Sequence, residues 1–414
     1  MGIERRIIPI SSGKGGVGKT TIALNYALSL SAHGRTVLVD LDTGTSSIRS
    51  GLDTPVDKDL YHFFKKGHRL EDCITRLDAR LDPHGRFASF GFIASPKHLI
   101  EDITNFTPAR REQLIEAING LDANFIVLDL KAGLDASVID FLPYSNSGLL
   151  VFTPHLPAAT LAAADIVKAI LFRKLRAVFA PGSPVYADLK GLAADFVNGL
   201  IDRVEDVYDS SVHNLDAFVA DLHHALGFHP VVALVANAVQ SFLVYYVLNR
   251  FNGVASSFET AVKPFVESVA ENVSRETTVM NMGWVVESAE INRSNVERVP
   301  ALLADRKAAP ASPADPARAR LSRLAAQYLP RRVGKPGPAR ESLARPRAGT
   351  YLDAQLDTLR RMYDDLKGDG YRENFGYITA RTLHVMAGRR TSDFGDVRLF
   401  KASELQAALQ LRGR

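Results

Sequence analysis

The sequence predicts an α/β fold in which a mostly parallel sheet is flanked by helices. Three observations carry this. Short apolar runs alternate with helical runs from the first residues onward. The apolar runs are hydrophobic at successive positions, as strands covered on both faces are. A glycine-rich turn of fixed pattern joins the first apolar run to the first helical one.

Taken in order, "RRIIPIS" is the first strand, and "TTIALNYALSLSAHG" has helical spacing and a terminal glycine. "TVLVDLD" is the second strand and "FASFGFIAS" the third. "TPARREQLIEAINGLD" reads as a helix, "NFIVLDLKAG" as the fourth strand and "SGLLVFTP" as the fifth. "AATLAAADIVKAILFRKLR" is a long helix. The stretch 176–229 is helical throughout and is expected to be an insertion. The sheet is expected to resume at "VVALVANAV" and to end at "VMNMGWVVES". The apolar stretch 231–251 is roughly as long as a membrane span. Asn237 and Gln240 interrupt it, and a strand (231–236) followed by a buried helix is the expected arrangement.

These elements place one domain at 1–305, a Pro/Ala/Arg-rich linker at 306–349 and a small, partly helical segment at 350–414. Charge is unevenly shared. Residues 306–414 hold 22 Lys/Arg against 11 Asp/Glu, a net of +11, whereas residues 1–305 hold 28 against 35, a net of −7. Such a tail suits nucleic acid, anionic lipid or acidic protein, and equally a solvated linker. One cysteine, Cys73, excludes a disulfide framework or a cysteine-built metal site within one chain and fits a reducing cytosol. The N-terminus shows no apolar core suited to a signal peptide.

Gly13-Lys14-Gly15-Gly16-Val17-Gly18-Lys19-Thr20 satisfies G-x-x-x-x-G-K-[ST] between a strand and a helix. Glycines let backbone N–H groups converge on phosphate oxygens, and the helix N-terminus adds a positive dipole end. Lys19 is expected to neutralise the β- and γ-phosphates, and the Thr20 hydroxyl to ligate Mg²⁺. Two apolar strands end in carboxylates, Asp40 with Asp42 and Asp129, and Gly133 follows the latter by four residues. A second lysine, Lys14, lies in the loop itself. A cation there would stabilise charge during phosphoryl transfer.

"KGGVGKT" resembles the deviant phosphate loop of the MinD/ParA group of ATPases, and "FIVLDLKAGLDASVIDFLPYSNSGLLVFTPHLPAAT" looks most like its FlhG branch. The resemblance implies a phosphate-loop NTPase fold, with ATP and Mg²⁺ as cofactors. Gly13, Gly15, Gly16, Val17, Gly18, Lys19, Thr20 and Thr21 would hold the nucleotide. Lys14 would reach the ATP of a partner subunit, Asp42 would position the attacking water, and Asp40 and Asp129 would stand at the metal beside Thr20. An asparagine at the end of a late strand reads the adenine in this group, and Asn237 is the residue expected there; an ordinary turn residue is the alternative. Lys131, His155-Leu156 and Thr43-Gly44-Thr45 depart from the family pattern without removing a ligand. The missing CxxC separates the chain from iron–sulfur carriers and nitrogenase-type reductases.

The resemblance covers residues 5–172 well and 231–303 loosely. It implies a cytoplasmic ATPase, peripheral on the inner membrane face in some members, that forms a homodimer on ATP binding. A protein partner would stimulate hydrolysis, and the switch would control the position or number of a cellular structure. A DNA-linked partitioning ATPase and a low-turnover scaffold for a secretion or polysaccharide complex are the alternatives. The basic C-terminal region would contact membrane or nonspecific DNA. Within it, "LFKASELQAALQLRGR" (399–414) is either a ragged membrane-surface helix or one packed on its own domain.

Overall fold

A computed structural model of the chain describes residues 5–43, 47–97, 106–189, 192–205, 212–304, 320–321, 323–324, 327, 348–366, 370–387 and 398–400. Its centre is a seven-stranded sheet in the order β3-β2-β4-β1-β5-β6-β7, with every pairing parallel. The strands are β1 (Arg6–Ser11), β2 (Thr36–Leu41), β3 (Phe90–Ile93), β4 (Phe125–Leu130), β5 (Asn146–Phe152), β6 (Leu243–Phe251) and β7 (Thr278–Val286). All residues of β1 to β5 are buried, which is why they read as unbroken apolar runs.

Between β1 and β2 runs α1 (Lys19–Ser31), and α2 (Ser47–Gly51) and α3 (Leu60–Lys66) follow β2. β3 leads to α4 (Pro108–Gly120), β4 to α5 (Ala136–Ile139), and β5 to α6 (Pro157–Val178). The chain steps from β1 to β2 in one direction across the sheet and from β4 through β7 in the other. A single crossover hand therefore puts α1 on one face and α6 on the opposite one. The reversal opens a crevice at the carboxyl ends of the central strands, where ligands of such sheets bind.

The helical stretch after α6 is longer than expected. It holds α7 (Pro184–Leu189), α8 (Leu192–Glu205), α9 (Leu215–Leu226) and α10 (Pro230–Gln240). Helix α10 corrects the expected strand at 231–236, and the order of the two elements is inverted. Pro230 opens the helix behind His229 at the N-cap, whose ring accepts from the Val231 amide at 3.3 Å. Val231, Val232, Val235 and Val239 are buried at helical spacing, while Asn237 and Gln240 face solvent. The strand is the following run, "LVYYVLNRF", whose aromatic and β-branched residues suit β6. Among the described residues no helix is long and apolar enough to cross a membrane.

After β6, α11 (Val254–Ser257) passes through a π-helical turn (Phe258–Val262) into α12 (Lys263–Asn272), which packs on α6. β7 is followed by α13 (Ala289–Glu297) and α14 (Ala301–Ala304). Most of the expected linker 306–349 lies outside the described residues. The two helices beyond it, α15 (Ala348–Leu366) and α16 (Tyr371–Ala387), are built onto the sheet. Helix α16 lies on β7 and α1: Tyr26 OH shares a hydrogen bond with Thr382 at 2.8 Å, and Thr379 donates to Ser29 at 2.7 Å. Gly283 has φ +135°, and a Cβ there would come within 2.8 Å of Ile378. The expected terminal helix at 399–414 falls outside the described residues apart from Leu399 and Phe400. Leu399 is buried, with its backbone N–H and C=O both held by the Asn119 amide at 2.8 and 2.9 Å.

Candidate nucleotide site

The loop Gly13–Gly18 sits at the carboxyl end of β1, and α1 begins at Lys19. Two glycines are required by contact. Gly13 backs onto the Ala162 backbone of α6, which a side chain would strike. Gly18 caps α1 with φ +85°, and a Cβ there would overlap the Asn249 amide. Gly15 and Gly16, by contrast, face open space. The wall of the loop is thus packed from behind and free in front, which is the shape of a phosphate cradle.

At the mouth of α1 the structure joins three of the expected residues. The buried Asp129 carboxylate, at the end of β4, pairs with Lys19 Nζ at 2.5 Å through one oxygen. Its other oxygen accepts from the Thr20 hydroxyl at 2.6 Å. Asp40 lies beside Asp129 in the register of β2 with β4. Both Asp40 oxygens have protein donors. One accepts from the Asp42 amide at 3.1 Å, the other from Ile48 N–H at 3.2 Å and the Ser95 hydroxyl at 2.9 Å. Burial, reinforced by the neighbouring Asp129 charge, pushes the Asp40 carboxyl up to about 7. Asp42 is partly exposed and accepts from the Ser47 hydroxyl at 3.1 Å, which ties it to the start of α2.

The donor set fits Mg²⁺. A hydroxyl and a carboxylate, both hard oxygens, lie together at the phosphate end of the loop, as a cation shared with a nucleotide needs. Among the described residues no group of three or more His, Cys, Asp or Glu could hold a metal ion by itself. Asp40 would have to exchange its present donors to become a direct ligand.

Lys14 is exposed on the rim of the loop, with its carbonyl accepting from Ser12 at 3.0 Å. Thr21 turns to Asn295 of α13, donating at 3.2 Å. The segment after β4 docks on the loop: Gly133, at φ +112°, donates its N–H to the Ser12 carbonyl at 3.0 Å. Val17 is buried.

Asn237 is not at a strand end; it sits on the exposed side of α10, in the helical stretch that precedes β6. The asparagine at the end of the late strand is Asn249. It is buried, and its amide donates to the Val17 carbonyl at 2.7 Å. The expected strand-then-helix order of 231–251 hides it, because "YYVLNRF" then falls on a helix; the signal is a polar Asn-Arg pair near the end of an aromatic, β-branched run. Arg250, at φ +56°, binds Glu287 at the end of β7 at 2.6 Å, and His155 approaches the same carboxylate at 3.6 Å. The Arg250 hydrogen bond holds the Glu287 carboxyl below its usual range.

A parallel sheet with a glycine cradle at β1, and an aspartate from β4 bridging its lysine and threonine, defines a phosphate-loop nucleotide-binding domain. Residues 5–171 match the family model described as "AAA domain". The chain is 33% identical over 172 residues to the chloroplastic septum site-determining MinD homolog of Arabidopsis thaliana, which is 40% of this chain and 50% of that one. It is 30% identical over 165 residues to the flagellum site-determining protein YlxH of Helicobacter pylori, 39% and 52% of the respective chains. The chain thus spans about half the length of the curated relatives it matches. Among solved structures, MinD of Pyrococcus horikoshii with Mg-ADP aligns at TM-score 0.42 and 16% identity over 73% of this chain and 90% of that one. Residues 5–171 are thus similar to domains of the MinD/ParA type.

Proposed function

We propose that this chain is an ATP-dependent dimerising switch that hydrolyses ATP at the loop Gly13–Thr20. The observation that carries the reading is the Asp129 bridge between Lys19 and Thr20, with an exposed rim lysine, Lys14, in the same loop. Lys19 would neutralise the terminal phosphates, and backbone N–H groups of Gly15 to Thr20 would cradle them. Mg²⁺, when bound by Thr20 and Asp129, would supply further charge neutralisation there. Asp42 would accept a hydrogen bond from the attacking water and aim it at the terminal phosphate.

Lys14 would serve the nucleotide of a second copy. Its exposure supports this, and so do three apolar side chains near the loop. Leu134 follows the loop-docked Gly133, Leu156 immediately precedes α6, and Leu161 adjoins Ala162, which backs Gly13; they are 43%, 37% and 51% exposed. The names of the septum- and flagellum-site relatives support a role in positioning a cellular structure, and control of its number belongs to the same proposal. A partner protein that accelerates hydrolysis, and a membrane or DNA surface met by the basic C-terminal region, belong to the same proposal.

Light scattering and phosphate release test it together. With ATP and Mg²⁺ the chain should double its mass, and Lys14→Ala should retain ATP binding while losing dimerisation and roughly 100-fold in turnover. Survival of both in the Lys14→Ala variant would remove the trans role. An unchanged mass and no phosphate release from the native chain would remove the switch.

A further inference from the structure

The segment after β4 carries a cation that the family pattern does not provide. Lys131 stands two residues after Asp129, which holds Lys19 and Thr20, and two residues before Gly133, which is docked on Ser12. Two residues span about 7 Å at most, and the flexible four-carbon stem of a lysine adds further reach. The Lys131 ammonium is therefore confined to the neighbourhood of the phosphate cradle. Its present partner is Asp135, at 3.6 Å, with side chains 37% and 50% exposed. A loose, exposed pair of this kind is held weakly. A terminal phosphate is a stronger anion, with several acceptor oxygens and more charge.

We propose that Lys131 is a positioning residue that senses the terminal phosphate of a nucleoside triphosphate. Without nucleotide it rests on Asp135; with triphosphate it moves to the phosphate and draws the segment 131–135 along. Asp135 is the competing anion that opposes this transfer. Because exposed Leu134 lies inside the segment, the same movement reorients an apolar side chain beside the loop. The inference rests on the reading of Gly13–Thr20 as a nucleotide site and adds discrimination between triphosphate and diphosphate to it.

Calorimetric titration with Mg²⁺ and either AMP-PNP or ADP tests it on the full chain. Lys131→Gln should weaken AMP-PNP about five- to tenfold while changing ADP less than about twofold, and Lys131→Arg should restore the difference. Asp135→Asn keeps a residue favourable before α5 and should tighten AMP-PNP about threefold. A purely structural Lys131–Asp135 pair would move both variants in the same direction and both nucleotides equally. That result, or no change in the AMP-PNP to ADP ratio, overturns the proposal. If the native chain binds neither nucleotide, the nucleotide reading itself falls, and the proposal with it. Binding that is lost in Lys19→Ala but has a ratio indifferent to Lys131 removes the sensor alone.

Discussion

At the scale of single residues, the most consequential environment is that of Asp40. It is fully buried next to Asp129, and its carboxyl is raised to about 7 by burial first and by the Asp129 charge second. The sign follows directly. An unfolded aspartate titrates near 3.9, so between about pH 4 and pH 7 the folded chain holds a proton that the unfolded chain has released. The associated stability is fully present below about pH 4 and is lost as pH rises through 7. Asp40→Asn keeps a neutral group there at every pH. It sacrifices one of the hydrogen bonds from Asp42, Ile48 and Ser95, which offsets part of the gain. Urea unfolding of the nucleotide-free chain should show the variant more stable by about 1–2 kcal/mol at pH 8, with the advantage gone by pH 5. Parallel pH curves for the two proteins would mean that Asp40 is ionised throughout.

At the scale of elements, the site depends on β6 ending where it does. Asn249 closes that strand and holds the Val17 carbonyl, while its side chain fills the space that Gly18 leaves. Asn249→Ala should orphan a buried carbonyl, destabilise the chain by about 1–2 kcal/mol and weaken nucleotide binding roughly tenfold. Asn237→Ala, on the exposed side of α10, should change either quantity less than about twofold, as read by fluorescent-nucleotide titration. Equal losses in both variants would argue against Asn249 as the loop's support.

The contrast also shows what the sequence made legible. The loop from Gly13 to Thr20, Asp129 and the first five strands were readable because their local pattern and tertiary role agree. Each strand is apolar at successive positions, and Gly13, Gly16 and Gly18 are demanded by neighbouring backbone or by φ. The inversion of α10 and β6 was not readable from apolar content, since both runs are equally hydrophobic. Pro230 at a helix start and the buried spacing Val231, Val235, Val239 distinguish them. The Lys131–Asp135 pair was also hidden, because spacing alone does not say whether an i,i+4 pair lies in a helix or in a loop.

At the scale of the whole molecule, the chain's two ends close one core. Helices α15 and α16 come after a long Pro/Ala/Arg-rich stretch, within the segment expected to be small and partly helical. Their contacts show a layer of the domain. Val279 at the start of β7 donates to Tyr351 at 3.0 Å and Gln355 donates back to its carbonyl at 3.1 Å. At the other end of β7, Val286 donates to Asn374 at 3.1 Å. Ile378, fully buried, rests where Gly283 leaves room, and Phe375 and Met362 are equally enclosed. Without this layer Phe251, which stacks on Trp284 and meets Tyr363 of α15, and the α16 side of α1 would lose their cover. Ile378→Ala should therefore cost about 2–5 kcal/mol, the range for an enclosed aliphatic side chain. Both ends should be lost together in a single transition, with circular dichroism and Trp284 fluorescence coinciding through the melt. Ending the chain after residue 347 should leave a product that is insoluble or lacks cooperative melting. A truncated chain that melts cooperatively near the native temperature and still binds nucleotide would show that α15 and α16 cover the sheet without supporting it.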